Sequence, residues 1–172
     1  MALWKNGAFI ANEWRFVPGH EPLPRGVKVL VELERWIGAR DELMKRQEPI
    51  GLMLAPDSDW SKVAADLSHF AVIAVSFPKF ADGRSFSLAR LLREREGFAG
   101  EIRAVGDYFI DQVPMMKRIG INAFETDDPL LKKALSAGVW PDVTNYLQPA
   151  LNGTSEVPAG TRPWARQAVD RG

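Results

Sequence analysis

The residues whose types and spacing could do chemistry are concentrated in one loop. This loop runs from residue 77 to residue 87 and carries Arg84, Ser85 and Ser87 beside a glycine. Backbone N–H groups at a helix start attract anions, and a guanidinium adds a planar, permanently charged fork. Arg84 with Ser85 or Ser87 therefore predicts a site for sulfate, sulfite, phosphate or a carboxylate. The alternative is structural, with a turn at Asp82, a serine cap and Arg84 paired to a carboxylate.

A second charged group lies around Arg103, which falls inside a predicted strand. A buried arginine without a partner is strongly destabilising, so a carboxylate or a bound anion has to meet it. Asp107 and Asp111 are the nearest acidic candidates, and with Arg103 they are predicted to support the anion site. Two alternatives stay open: the aspartates cap helices, or they converge with Glu125 on a magnesium ion.

The helix predicted after the loop carries a run of charges. Arg90 and Glu94 are four residues apart and can pair along a solvated face, while Arg90 and Arg93 could instead face a partner. Trp164 stands among arginines near the end of the chain. It is interpreted either as a docking anchor or as a residue folded back on the domain, because tryptophan is enriched at binding hot spots. The predicted partner-facing residues are thus Arg90, Arg93 and Trp164.

Composition excludes several classes of chemistry. The 172 residues include 22 Lys and Arg against 22 Asp and Glu, so no global charge draws the chain to nucleic acid. With no cysteine, the chain has no thiol nucleophile and no cysteine-ligated zinc or iron–sulfur cluster. Only His20 and His69 could serve a histidine site. No metal site and no cofactor site is evident.

The elements that must position these residues alternate between strand and helix from residue 26 onward. Five short β-branched or apolar runs are separated by stretches with a helical apolar stripe. This pattern predicts an α/β domain with about five mostly parallel strands and crossover helices, either a half-barrel or a doubly wound sheet. Asn6-Gly7 predicts an N-terminal β-hairpin before it. Ligands of such sheets bind at the carboxyl ends of the strands.

Three segments follow from these patterns. Residues 1–24 are the hairpin and a proline-rich connector, 25–148 the α/β domain, and 149–172 a polar tail predicted to be disordered. The N-terminal residues lack a secretory pattern, and the longest apolar run, 70–77, has the length of a strand. We therefore expect a cytoplasmic protein that does not enter a membrane.

Several segments resemble a known bacterial family of unknown function. The similarity is carried by the series FPKF at 77–80, DGRSFSLARLLRER at 82–95 and GEIRAVGD at 100–107, and by a block from Asp111 to Phe124. Members of that family are usually encoded beside sirohaem sulfite reductase in assimilatory sulfate reduction, and they are labelled as oxidoreductases of sulfite reduction. They often carry Cys and Asp where this chain has Ile119 and Asn122.

The resemblance implies a role in sulfate assimilation and cysteine biosynthesis. We expect an accessory protein of sulfite reduction that contacts sirohaem sulfite reductase and can bind an oxyanion. The alternative is a small enzyme that acts on a sulfur- or phosphate-containing metabolite at the strand-end loops. Turnover by the purified protein would favour the enzyme, whereas a stable complex without turnover would favour the accessory role.

Overall fold

The chain begins with the predicted hairpin. The structure, a computed structural model, describes residues 1–79, 82–141, 145–146, 156–159 and 162–168. Strands β1 (Ala2–Lys5) and β2 (Ala8–Ile10) pair antiparallel around Asn6 and Gly7, whose φ angles are 53° and 85°. Two successive positive φ angles define the turn that Asn-Gly favours. The hairpin prediction is confirmed.

Eight strands form one curled sheet, a half-barrel. Six of them run parallel and lie side by side in chain order: β3 (Trp14–Phe16), β4 (Lys28–Glu32), β5 (Ile50–Leu54), β6 (Phe70–Phe77), β7 (Glu101–Gly106) and β8 (Ala123–Thr126). The hairpin extends the sheet because β1 pairs antiparallel with β8. Since every crossover moves to the next strand in the same direction, the sheet is a half-barrel rather than a doubly wound sheet.

Helical segments connect most of the parallel strands. They are α1 (Leu33–Gly38), α2 (Arg40–Leu43), a 3-10 helix (Trp60–His69), α3 (Arg84–Glu94), a 3-10 turn (Ile110–Gln112), α4 (Val113–Arg118) and α5 (Pro129–Ala137). Asp128 caps α5 by accepting a hydrogen bond from the Leu131 N–H at 2.7 Å, and Pro129 occupies the first turn. An aspartate cap followed by a proline in the first turn is a pattern that favours the start of a helix. No helix among the described residues is long and apolar enough to cross a membrane.

The two faces of the sheet differ. Strand alternation turns Ile73, Val75 and Phe77 toward the helices, where the main core packs. The opposite face, here called the open face, holds a small cluster of Leu30, Val72, Ala74 and Val105. Partly exposed Trp14 and Met53 pack against that cluster. The open face therefore holds an apolar cluster that is separate from the main core.

A separate three-stranded sheet lies toward the end of the chain, made of β9 (Asn145–Tyr146), β10 (Glu156–Ala159) and β11 (Arg162–Ala168). Two of these strands fall within the tail, 149–172, that is predicted to be disordered, and the other residues of the tail lie outside the described part. The side chain of Trp164 is also outside the described part. The boundaries of the three predicted segments stay predictions.

Candidate functional site

A cavity of about 650 Å³ opens where the parallel strands end on the open face. Each of five neighbouring strands, β4 to β8, contributes lining near its carboxyl end: Glu32, Met53, Ser76, Val105 and Glu125. This is the edge at which the crossover rule places ligands. The cavity is consequently the candidate site, and it uses residues that the sequence analysis did not single out, apart from Glu125.

The floor of the cavity is apolar. Trp14, Leu30, Met53 and Val105 line it and belong to the open-face cluster. Phe16 lines the same cavity and keeps 41% of its surface exposed. Apolar side chains gathered in a concave site are typical of small-molecule binding sites.

A buried ion network supports the wall beside Glu125. Arg103 is fully buried, and its Nε donates to Glu101 Oε1 at 2.7 Å. Its Nη2 lies 2.7 Å from the same oxygen but lacks hydrogen-bond geometry. Its Nη1 donates to Asn12 Oδ1 and to Glu125 Oε2, both at 3.0 Å. The guanidinium therefore joins three acceptors from different parts of the chain.

The network is closed by Lys5, whose Nζ donates to Glu101 Oε2 at 2.7 Å. Asn12 Nδ2 donates to Glu125 Oε2 at 3.0 Å. Two carboxylates thus balance two cations, which is the condition under which buried charges are tolerated. The result is a fixed position for the Glu125 carboxylate at the side of the cavity.

The predicted partners of Arg103 were wrong. Asp107 and Asp111 are exposed, and neither contacts Arg103; Glu101 and Glu125 do. The reason is strand geometry: Glu101 lies two residues away on the same face, and Glu125 lies on that face of β8, two residues beyond Ala123, which is in register with Arg103. The described residues contain no group of three or more acidic or histidine side chains that could hold a metal ion.

Arg84 makes the pairing that the structural alternative proposed. Its Nε and Nη2 donate to Asp82 Oδ1 and Oδ2 at 2.9 and 2.7 Å. The Arg84 guanidinium holds the pKa of Asp82 well below its ordinary value, at about 2. An anion at Arg84 would therefore have to compete with this carboxylate.

The two serines differ in position. Ser85 is buried, and its hydroxyl donates to the Ser76 carbonyl, which ties the start of α3 to the end of β6. Ser87 is exposed on α3. Of these two serines, Ser87 is the exposed one, whereas the hydroxyl of Ser85 stabilises the fold.

The arginines of α3 divide into two kinds. Arg93 is half-buried, its Nε donates to the Gly120 carbonyl at 2.9 Å, and its Nη1 donates to the Phe98 carbonyl. Burial lowers the pKa of Arg93 from its ordinary value. Arg90 pairs with Glu94 on the surface at 2.8 Å. Arg93 therefore holds two loops in place, and its role as a partner-facing residue stays a prediction.

A further buried carboxylate, Asp66, lies outside the cavity in the 3-10 helix. It accepts hydrogen bonds from Trp36 Nε1 at 2.9 Å and from Arg40 Nε and Nη2 at 2.7 and 2.6 Å. The hydrogen bonds from Arg40 are the main reason why the pKa of Asp66 is lowered to about 2. Asp66 holds the 3-10 helix to α1 and α2, and no feature of the cavity depends on it.

The positions where members of the resembling family often carry Cys and Asp are structural here. Ile119 is buried, and Asn122 Oδ1 accepts the Ile102 N–H at 2.9 Å. Neither residue is part of the cavity.

Comparison with known protein families gives one match. The model for "Bacterial protein of unknown function (DUF934)" matches residues 51–157, which is more than half of the chain. The matched segment includes α3, the Arg103 strand and the strand ends that line most of the cavity. No curated protein matches the chain.

Proposed function

We propose that this chain, which belongs to the DUF934 family of bacterial proteins of unknown function, is an accessory protein of assimilatory sulfite reduction. It acts by contact with sirohaem sulfite reductase. The observation that carries the proposal is the motif series between residues 77 and 107, which resembles proteins encoded beside that reductase. The series lies wholly inside the segment that the family model matches.

The fold accounts for part of that series. Ser85, Arg93 and Arg103 are occupied by contacts inside the domain. Arg90, Leu91 and Arg95, by contrast, are 41%, 39% and 72% exposed. We call these three the α3 surface. Its mixture of basic and apolar groups suits a contact in which charge steers the encounter.

The test is a binding measurement between the two purified proteins. The double variant Arg90→Glu and Arg95→Glu should slow association by about tenfold at low salt, because surface charges act mainly on the association rate. The double variant Lys45→Glu and Lys133→Glu is the matched control, because it makes the same change of net charge at two other exposed side chains. Arg93 is left intact because its loss would disturb the fold, and Trp164→Ala tests the predicted anchor in the tail.

The second test is the growth of a deletion strain that lacks this protein. It should grow poorly on sulfate and normally on cysteine if the protein serves sulfite reduction. Normal growth on sulfate, together with no binding to the reductase at micromolar concentration, would end the proposal.

An oxyanion contact at Arg84 is part of the same proposal. The side chain is 61% exposed and lies at the first turn of α3, and its carboxylate partner Asp82 can be removed. Asp82→Asn should therefore raise sulfate affinity in calorimetry, and Arg84→Ala should remove it. If calorimetry detects no heat of sulfate binding with the wild type or with Asp82→Asn at millimolar sulfate, the contact is refuted.

The charge of the cavity bears on the enzyme alternative. Among its described lining residues are five carboxylates, against one lysine and Met1 with its N-terminal ammonium, so the negative charge prevails and the site repels sulfite and phosphate compounds. This favours the accessory function over an enzyme that acts on such anions at the strand ends.

A further inference from the structure

The charge of the open-face cavity is unusual for a protein with no net charge. Glu125 is balanced by Arg103, and Asp59 lies 3.9 Å from Lys62 Nζ. Glu32, Glu34 and Asp57 remain, and no described cation lies within salt-bridge distance of them. Arg84, whose pKa is raised mainly by Asp82 and in small part by Asp57, is already paired with Asp82. The cavity therefore attracts cations.

Glu32 is the best placed of these three acids. It is half-buried at the end of β4, and its Oε2 accepts the Gly19 N–H at 3.1 Å, which orients the carboxylate. In the sheet register, Glu32 lies directly beside Met53 of β5. Leu30 is on the same face two residues earlier. An oriented carboxylate thus adjoins the apolar floor.

We propose that the cavity binds a small organic cation, a primary amine or guanidinium carried on an apolar body. The charged group pairs with Glu32, and the apolar body lies over Met53, Leu30 and Trp14. A volume of about 650 Å³ suits a small molecule, since such sites commonly measure about 300–1,000 Å³. The proposal uses no residue of the α3 surface, so it stands or falls independently of the contact with the reductase.

The network around Arg103 explains why the site has a fixed shape. Glu125 is held by Arg103 and Asn12 through Oε2, and its strand is tied to β7 by the same guanidinium. The ligand therefore meets a rigid wall on the β8 side. A preorganised pocket loses less conformational freedom on binding than a flexible one.

The experiment uses a matched pair of fluorescent probes. Dansylcadaverine carries a primary amine on an apolar body, and the dansyl amide of 6-aminohexanoic acid carries a carboxylate on a similar one. The amine should bind the wild-type protein with a Kd of about 10–100 µM and a blue-shifted emission, on ordinary ligand efficiencies. The carboxylate should bind at least about tenfold more weakly. Equal binding of the two probes, or no saturation by the amine at about 1 mM, overturns the proposal.

Two variants locate the site. Glu32→Gln removes the charge but keeps an oxygen for the Gly19 N–H, so the fold is retained and amine affinity should fall about tenfold. Met53→Lys places an ammonium group next to Glu32 and should abolish binding. Asp41→Asn, an exposed acid outside the cavity, is the control and should bind like the wild type. Unchanged affinity in Glu32→Gln would refute the site, and the two-probe comparison decides the matter if a variant fails to fold.

Discussion

Replacement of Arg103 by alanine is the most direct test of the buried network. The guanidinium is fully buried and joins Glu101, Glu125 and Asn12 through contacts of 2.7 to 3.0 Å. Its loss leaves two carboxylates, 8% and 13% exposed, with Lys5 as the remaining cation of the network. Removing one partner of a buried pair costs about 3–5 kcal/mol of unfolding free energy. For a chain of this length, that corresponds to a melting temperature lower by about 6–20 °C.

Companion variants separate charge from volume. Arg103→Met refills much of the space, so its loss of stability should be smaller than that of Arg103→Ala by about 1–2 kcal/mol. A double-mutant cycle of Arg103→Met with Glu125→Gln should give a coupling energy of about 0.5–3 kcal/mol. Arg95→Ala, at an exposed arginine directly after α3, is the control and should stay within about 0.5 kcal/mol of wild type.

The assay is urea unfolding followed by tryptophan fluorescence, with the melting temperature as a second measurement. If Arg103→Ala unfolds within about 1 kcal/mol of the wild type, the network does not stabilise the fold and the reasoning from its contacts fails. A full loss in Arg103→Ala with zero coupling to Glu125 would instead place the effect on the contacts of Arg103 with Glu101 and Asn12.

Much of the fold could be predicted because it follows from local patterns. Asn6-Gly7 specifies its own turn, Asp128 with Pro129 specifies the start of α5, and apolar runs specify the inner strands. The edge strand β3 lies in the segment 1–24, which was predicted to be separate from the parallel strands. Its three residues are joined to β4 by a connector without a helix, so the alternating signal is missing.

The site was harder to predict because it depends on which residues share a face. The spacing of Glu101 and Arg103 places both on one side of a strand and could have identified the pair. The contact of Arg103 with Glu125 depends on the register of β7 and β8, which the sequence does not give. Its contact with Asn12 depends on the approach of a loop that is distant in sequence. Arg93 reaches carbonyls at Phe98 and Gly120, which no sequence period brings together. Local sequence patterns determine the turns, helices and strands, whereas contacts between elements that are distant in sequence determine the site.

Two further predictions concern parts of the fold outside the cavity. Asp66→Asn should lower the free energy of unfolding at pH 7 by about 2 kcal/mol, because the pKa of Asp66 in the folded protein is about 2, below its unfolded value. The wild type therefore has this advantage above about pH 4 and loses it as the pH falls toward 2. Urea unfolding of both proteins from pH 7 to pH 2 checks it, and a constant difference across that range would contradict it. Gly106→Ala should destabilise the protein by about 2 kcal/mol or more, since Gly106 has a φ of +104° and an added Cβ would lie 2.4 Å from the Phe77 carbonyl oxygen. That carbonyl already accepts the Asp107 N–H at 2.7 Å, so the backbone at the end of β7 has no room to retreat. Gly38→Ala is the matched control: its φ is not positive and nothing lies within 4 Å, so it should be neutral or stabilising by up to about 1 kcal/mol. Equal melting temperatures for the two alanine variants would show that the strand end at the cavity is more adaptable than these distances allow.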